Sequence, residues 1–183
     1  MNGPIEISTP RLILKGITPA LIHDLFNTKA KGEIMRFFGC DEKGYGYYSA
    51  MHGQGMESYR ISLFFFLLME RSNHRPLGEC GFHTWNKFHN RAEIFYCLRN
   101  DSDKQKGLMT EALQAVLDFG FDRLDLHRIQ ALVANGNTPS VKLLLRYGFT
   151  KEGTLREDYR VDEKMEDSDC YSLLKWEWKR RSL

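Results

Sequence analysis

The sequence predicts a mixed α/β fold, in which a central mixed sheet, antiparallel in its N-terminal strands, is flanked by helices. Two observations predict it. Short apolar and aromatic runs alternate with segments in which apolar residues recur at helical spacing. A hairpin of apolar strands comes before a unit of strand, loop and long amphipathic helix. The predicted order is β, α, hairpin strands, α, β, α, β, β, which requires a crossover around that loop.

The composition fits one well-buried domain over residues 1–183, since 42% of the 183 residues are apolar and 13% are aromatic. The formal net charge is only +2, so direct binding of nucleic acid is not expected. No apolar run is long enough to cross a bilayer, and residues 1–20 lack the apolar core of an export signal. We therefore expect a cytoplasmic protein without membrane contact, as a monomer or a homodimer.

The cysteines predict reduced thiols and no metal site. They show no CxxC pair and no Cys/His cluster at the spacing of metal ligands. Their wide separation in a chain expected in a reducing compartment argues against disulfides as well. The four positions are Cys40, Cys80, Cys97 and Cys170.

The first third of the chain predicts a strand, a helix and a loop. Residues 8–15 alternate enough to form a strand, and Thr18 with Pro19 is a plausible start for a helix through Phe26. The segment from Gly39 to Gly55 is rich in Gly and Tyr, and is interpreted as a mobile, aromatic-bearing loop. No change of composition there separates two cores.

The middle of the chain predicts a hairpin and a strand followed by a helix. A doubly buried strand over 61–69 and a second strand over 77–83 are joined by a turn at 71–76. A third strand over 92–98 leads into a loop and then a helix over 108–124. The near-continuous apolar run at 127–134 suits a strand in a covered sheet.

The last quarter predicts a short helix and two strands. Asn137 or Thr138 can cap a helix over 141–147, with a proline in its first turn and Gly148 after its end. Strands near 151–160 and 169–178 flank an acidic turn. That turn could attract a cationic acceptor, although a solvated hairpin tip is the preferred explanation.

The loop before the long helix has the composition of a phosphate-binding site. Backbone N–H groups at the helix start, the helix dipole and two lysines together favour an anion such as a pyrophosphate. Gly107 lets the backbone approach the anion without a Cβ in the way. An ordinary strand-to-helix connection with solvated lysines remains the alternative. The residues of the predicted site are Lys104, Gln105, Lys106, Gly107, Leu108, Met109 and Thr110.

Four segments give the chain a resemblance to the GNAT family of acetyl-CoA-dependent N-acetyltransferases. They are Thr9-Pro10-Arg11-Leu12-Ile13-Leu14, Lys106 to Ala112, Leu126-His127-Arg128-Ile129 through Ser140, and Tyr147-Gly148-Phe149 with 152–157. With 171–174 they span nearly the whole chain. Within the family the chain looks most like the RimJ/RimL branch, which acetylates protein N-termini, notably those of ribosomal proteins. The resemblance implies the GNAT acyl-CoA N-acyltransferase fold, acetyl-CoA as co-substrate and no metal.

The resemblance also implies roles for individual residues. The backbone of Phe95, Tyr96, Cys97 and Leu98 is expected to hold the acetyl group and stabilise the oxyanion. Residues 104–110 are expected to hold the pyrophosphate, Asn137 the pantetheine arm, and Tyr147 to pack against the cofactor. Ser140 matches the serine proposed in this branch to protonate the coenzyme thiolate. As an alternative, Ser140 is only a polar residue in the first turn of a capped helix.

The match departs from the family pattern at three positions. Lys104 replaces a Gln or Arg, and keeps a donor with added charge. Met109 replaces a Gly or Ala, which predicts a strained approach of the cofactor at this point. Leu144 stands where many members carry a catalytic tyrosine, so a tyrosine acid at that position is excluded.

Two carboxylates are candidates to take the proton of the attacking amine, Glu93 more than Glu79. Either could instead be a solvated strand residue. His83 and His89 are interpreted as surface residues of the loop after the hairpin. The predicted activity is acetyl transfer to a primary amine, first of all a protein or peptide N-terminus such as that of a ribosomal protein. A small amine (a polyamine, amino acid or aminoglycoside) and a non-catalytic acyl-CoA sensor are the alternatives.

Overall fold

The computed structural model describes residues 5–56 and 61–181. Its strands are β1 (Glu6–Ser8), β2 (Leu12–Ile17), β3 (Ile61–Glu70), β4 (Pro76–Asn86), β5 (Arg91–Leu98), β6 (Arg128–Ala134), β7 (Thr150–Val161) and β8 (Lys164–Leu174). They form one sheet in the order β1-β2-β3-β4-β5-β6-β8-β7. Every neighbouring pair is antiparallel except β5 and β6, which run parallel. The mixed α/β fold with an antiparallel N-terminal half is therefore confirmed.

Helices cover both faces of this sheet. They are α1 (Pro19–Thr28), α2 (Lys31–Phe38), α3 (Glu42–Gln54), α4 (Leu108–Asp122), α5 (Thr138–Arg146) and α6 (Lys175–Arg181), with a 3-10 turn at Asp101–Asp103. Helices α1 to α3 contribute to one core cluster, and α4, α5 and α6 contribute to the other. Within the described residues, no helix has the length and apolar character that a membrane crossing requires.

Strand β3 separates the two cores. Phe64, Phe66 and Leu68 pack into the cluster under α4, whereas Phe65 and Leu67 pack into the cluster under α1 to α3. Because successive side chains of a strand point to opposite faces, a strand covered on both faces must be apolar at nearly every position. The sequence run that predicted a doubly buried strand has this pattern, and the prediction is confirmed.

The segment from Gly39 to Gly55 is not the mobile loop that its glycines suggested. Residues 42–54 form α3, whose first turn is capped by Asp41 accepting from the Gly44 N–H at 2.9 Å. Tyr48 is buried and stacks on Phe38 of α2, with ring centroids 3.8 Å apart. Tertiary packing therefore offsets the low helix propensity of the glycines. Helix α2 had no counterpart in the prediction.

Two further boundaries differ from the prediction. The last strand ends at Leu174 rather than continuing to 178, because the following residues form α6 with Trp178 buried against Phe121. The first strand begins at Leu12, and residues 6–8 form a separate strand, β1, paired with β2. Thr9 and Pro10 interrupt the two, since a proline has no N–H for the ladder.

A partly exposed ion pair links β7 to β6. Both guanidinium nitrogens of Arg128 donate to Glu152, at 2.7 and 2.6 Å, and the Ser172 hydroxyl donates to the same carboxylate at 2.6 Å. The hydrogen bonds from Arg128 and then from Ser172 lower the pKa of Glu152 to about 2. This carboxylate stabilises the folded protein only while it is ionised.

We expect the stability of the protein to fall more steeply with acid than that of Glu152→Gln. The folded pKa lies below the ordinary value of 4.5, so the contribution of Glu152 is complete above about pH 5 and is lost towards pH 2. Thermal unfolding of both proteins from pH 7 to pH 2 should show their Tm values converging in acid. Glu163→Gln, whose side chain is 99% exposed, is the control and should track the parent at every pH. Parallel curves for Glu152→Gln would contradict this role.

Candidate functional site

The sheet opens between its two parallel strands. Strands β5 and β6 are in register only from Arg91 to Glu93, opposite Arg128 to Gln130. Beyond that point β6 keeps its pairing with β8, and β5 keeps its pairing with β4. The two strands therefore diverge into a V-shaped cleft, which has a volume of about 200 Å³. Residues of β5, β6 and the start of α5 line it, together with His83 of β4.

The loop at the start of α4 presents backbone donors on the same side of the sheet as α5. Gly107 is the N-cap of α4 and has φ +73°, and Gln105 has φ +59°. The first intrahelical bond runs from the Glu111 N–H to the Gly107 carbonyl at 3.1 Å, so the N–H groups of 108–110 have no partner inside the helix. Such a run of free donors at a helix N-terminus binds anions, and phosphates in particular.

A clamp from the N-terminal segment holds this loop in place. Glu111 accepts from the Thr9 hydroxyl at 2.5 Å, from the Arg11 N–H at 2.8 Å and from the Arg11 guanidinium at 2.6 Å. The same guanidinium donates to the Lys106 carbonyl at 2.8 Å. Burial raises the pKa of Glu111, but the hydrogen bonds from Thr9 and Arg11 outweigh it and leave the pKa below its ordinary value. The clamp gives the Thr9-Pro10-Arg11 segment a structural role that the sequence did not reveal.

A second ion pair fixes the other end of the loop. Arg75, directly before β4, donates to both carboxylate oxygens of buried Asp103, at 2.9 and 2.8 Å. Lys104, which was expected to strengthen the grip on an anion, pairs instead with Asp101 at 2.6 Å. Both side chains of this pair are more than half exposed, and the role of Lys104 in anion binding stays a prediction.

Met109, in α4, and Tyr147, at the end of α5, both pack into the core on the α4 side of the sheet. The Met109 side chain is only partly buried there. The strained approach of the cofactor that its size predicts stays a prediction. Tyr147 is buried, and its hydroxyl donates to the Thr110 carbonyl at 2.5 Å. This bond ties the end of α5 to the first turn of α4.

Helix α5 brings two polar residues to the mouth of the cleft. Asn137 caps the helix, with its Oδ1 accepting from the Ser140 N–H at 3.3 Å. The Ser140 hydroxyl lies within hydrogen-bonding reach of the Tyr96 phenol on β5. Burial raises the pKa of that phenol, and the Ser140 hydroxyl offsets only part of the rise, so both groups are protonated near neutral pH. Leu144 is fully buried in the core and takes no part in this group.

Glu93 marks the point where the cleft begins. One carboxylate oxygen lies 3.4 Å from Nε2 of His83, its cross-strand neighbour on β4, and the other accepts from Gln130 on β6 at 3.3 Å. His83 is a residue of β4 rather than of the loop after it. Its Nδ1 lies 2.8 Å from the Thr84 hydroxyl. Glu93 is thus a partly buried carboxylate held on both sides and open to the cleft.

Glu79 is placed differently. It is 6% exposed, and its carboxylate accepts from Arg99 at 3.1 Å, while the same guanidinium nitrogen donates to the Tyr48 hydroxyl at 2.9 Å. Burial raises the pKa of Glu79, and Arg99 offsets part of that rise. Arg99 also donates to the Gly39 carbonyl at 3.0 Å. The pair therefore fastens α2 and α3 to the sheet, and Glu79 is not among the residues that line the cleft.

The cleft carries different groups on its two faces. Among residues 5–56 and 61–181, no three His, Cys, Asp or Glu side chains are grouped so as to hold a metal ion. The start of α4 and the Ser140–Tyr96 pair lie on the α4 side of the sheet, and Glu93 with His83 lies on the α3 side. An anionic donor and an amine acceptor can thus approach from opposite faces.

Comparison with known proteins identifies the family of the chain. The model of the acetyltransferase (GNAT) domain family matches residues 11–150. YoaA of Bacillus subtilis, an uncharacterized N-acetyltransferase, is 30% identical over 179 residues, which are 92% of this chain and 96% of YoaA. Several other curated relatives align over only 38% to 63% of their own length.

Two solved structures share the fold over nearly the whole chain. The spermidine/spermine N-acetyltransferase SpeG of Vibrio cholerae has a TM-score of 0.72 at 20% identity, covering 96% of this chain and 100% of SpeG. The ribosomal-protein-S5-alanine acetyltransferase of Vibrio fischeri has a TM-score of 0.67 at 18% identity, covering 95% and 98%. At these identities the likeness concerns the fold. The family model matches residues 11–150, and YoaA aligns with 92% of this chain. The chain therefore belongs to the GNAT acetyltransferase family.

Proposed function

We propose that this protein transfers the acetyl group of acetyl-CoA to the α-amine of a peptide or protein N-terminus. The observation that carries the proposal is the cleft between β5 and β6, with the free donors of α4 on one side and Glu93 on the other. Direct transfer requires a bound thioester and an amine that meets it, a group that takes the amine proton and a proton for the departing thiolate.

The chain offers a residue for each requirement. The N–H groups of 108–110 bind the pyrophosphate, and the edge of β5 beyond Glu93 faces the acetyl group. Glu93 accepts the proton of the attacking amine, directly or through a water, as the new C–N bond forms. Ser140, beside the protonated phenol of Tyr96, supplies a proton as the C–S bond breaks. Glu93 is thus the acceptor of the amine proton, and Ser140 is the donor of the proton that the thiolate takes up.

A polyamine acceptor is the second candidate, supported by 30% identity over 77 residues to the spermidine N(1)-acetyltransferase of Escherichia coli. The two functions are separated by initial rates of CoA thiol release with a peptide that has a free N-terminus, the same peptide with a formylated N-terminus, and spermidine. The proposal expects kcat/KM to be highest for the free peptide and no reaction of the formylated one. Turnover of spermidine alone would replace the proposal by the second candidate, and binding of acetyl-CoA without any turnover would favour a sensor.

We expect Ser140→Ala to lower kcat about tenfold, less than full loss of a general acid, because Tyr96 remains to supply a proton. The KM for acetyl-CoA should stay within about twofold, since the variant removes no pyrophosphate donor. The double variant Ser140→Ala/Tyr96→Phe should fall further. Ser49→Ala, on α3, is the matched control and should match the parent. An unchanged kcat for Ser140→Ala would leave Ser140 as a residue of the helix start only.

A further inference from the structure

A second cavity adjoins the cleft on the α3 side of the sheet. Its volume is about 440 Å³, within the range of roughly 300–1,000 Å³ that is typical of pockets for small ligands. Helix α3 contributes Tyr47 and Met51, and Met56 lies two residues past its end. The strands contribute the remaining lining residues, which are Ser62, Leu63, His83, Thr84 and Phe95. We call this cavity the acceptor pocket.

The acceptor pocket is continuous with the site of transfer. His83 and Phe95 line both this pocket and the cleft between β5 and β6. The Phe95 ring lies 5.4 Å from the His83 ring, and His83 in turn contacts Glu93. An amine that reaches Glu93 from the α3 side therefore has its nearest substituent inside the pocket. Ser140 and Tyr96 lie on the opposite side of β5, which leaves the pocket free for the acceptor.

The walls of the pocket fit an apolar group. Two aromatic rings, two thioethers and a leucine form most of the surface, and thioethers adapt to irregular apolar shapes. Among the described residues that line it there is no Asp, Glu, Lys or Arg. Each further ammonium of a polyamine would lose water there without gaining a carboxylate partner from these described residues. The lining thus favours an acceptor with one amine and an uncharged substituent.

We infer that the acceptor pocket selects peptides whose first residue has a bulky apolar side chain, such as Met, Leu or Phe. The inference rests on the proposed function and adds to it the chemistry of the first residue. The amine of such a peptide lies at Glu93 and His83, while its side chain fills the space between Tyr47, Met51 and Phe95. A hydrophobic pocket discriminates by about 10- to 200-fold per methylene-sized difference, so the preference should be measurable.

The test compares peptides that differ only in their first residue. For the parent protein, kcat/KM with a Phe or Met at the first position should exceed that with Gly by at least about tenfold. Met51→Glu places a carboxylate in the pocket. It should lower kcat/KM for the Phe peptide about tenfold and raise it for a peptide that begins with Lys. Tyr47→Ala, at a position 53% exposed, is the second variant and should reduce the preference without endangering the fold.

The matched control is Met165→Glu, the same exchange at a half-exposed residue of β8 away from the pocket, which should leave every rate unchanged. Equal rates for all first residues, or a parent preference for Gly or Lys, would overturn the inference while peptide acetylation stands. Turnover of spermidine with no peptide acetylated would overturn both the inference and the proposed function.

Discussion

Replacing Glu93 with Gln is expected to lower kcat by about 10²- to 10⁴-fold, the usual contribution of a positioned general base. The amide keeps the size of the carboxylate and can still bond to Gln130 and His83, which lie 3.3 and 3.4 Å from it. It cannot take the proton of the attacking amine. The KM for acetyl-CoA should change little, because the pyrophosphate donors lie on α4. Steady-state rates of CoA release with a peptide acceptor measure both quantities.

The pH dependence distinguishes loss of a base from loss of structure. If Glu93 takes the proton, raising the pH should restore part of the rate of Glu93→Gln as free amine accumulates, whereas a variant that has lost its structure should not recover. The control is Glu163→Gln at the exposed tip between β7 and β8, which should behave as the parent. A Glu93→Gln variant that is as active as the parent would remove Glu93 from the mechanism.

Replacing Gly107 with Val is expected to weaken acetyl-CoA binding by at least about 100-fold, which corresponds to the loss of two charge-assisted hydrogen bonds at ~1.5 kcal/mol each. The added Cβ has space, since its nearest neighbour would be the Arg11 guanidinium at 3.6 Å. The obstacle is the backbone, because φ is +73° and a β-branched residue strongly disfavours that region. Valine would turn the donors of 108–110 away from the anion.

Thermal shift and calorimetric titration with acetyl-CoA check this prediction on the folded variant. Gly153→Val is the matched control: it lies in β7, has no positive φ, and an added Cβ there meets nothing within 4 Å. Its affinity should equal that of the parent. A Gly107→Val variant that binds acetyl-CoA normally would show that the loop of α4 is not the pyrophosphate site.

Hydrophobic periodicity predicted those helices and strands whose local sequence pattern agrees with their burial in the folded protein. Strand β3 is apolar on both faces and α4 carries a long apolar stripe, so both were predicted with nearly the right bounds. Helix α3 was missed because its glycines favour a loop locally, and only the packing of Tyr48 on Phe38 makes the helix stable. Local preference and tertiary packing disagree in this segment, and packing decides.

Candidate site residues could be proposed from the sequence where one short segment contains a recognisable pattern of residue types. The loop at 104–110 and the cap at Asn137 are such segments, since glycine and capping residues mark them in the sequence. The clamp between Arg11 and Glu111 joins residues that are 100 positions apart, and no local sequence pattern in either segment predicts this contact. His83 could have been found from the hairpin register, which places it opposite Glu93. The acceptor pocket was missed together with the helix that forms it.

The most direct test of peptide N-terminal acetylation is the site of the acetyl group in a product peptide. A peptide with a free N-terminal Met and one internal Lys is incubated with the protein and acetyl-CoA, and tandem mass spectrometry locates the modification. The account predicts one acetyl group, on the N-terminal amine, and no product from Glu93→Gln in the same time. Acetylation of the internal Lys alone, or an unmodified peptide beside acetylated spermidine, would contradict it.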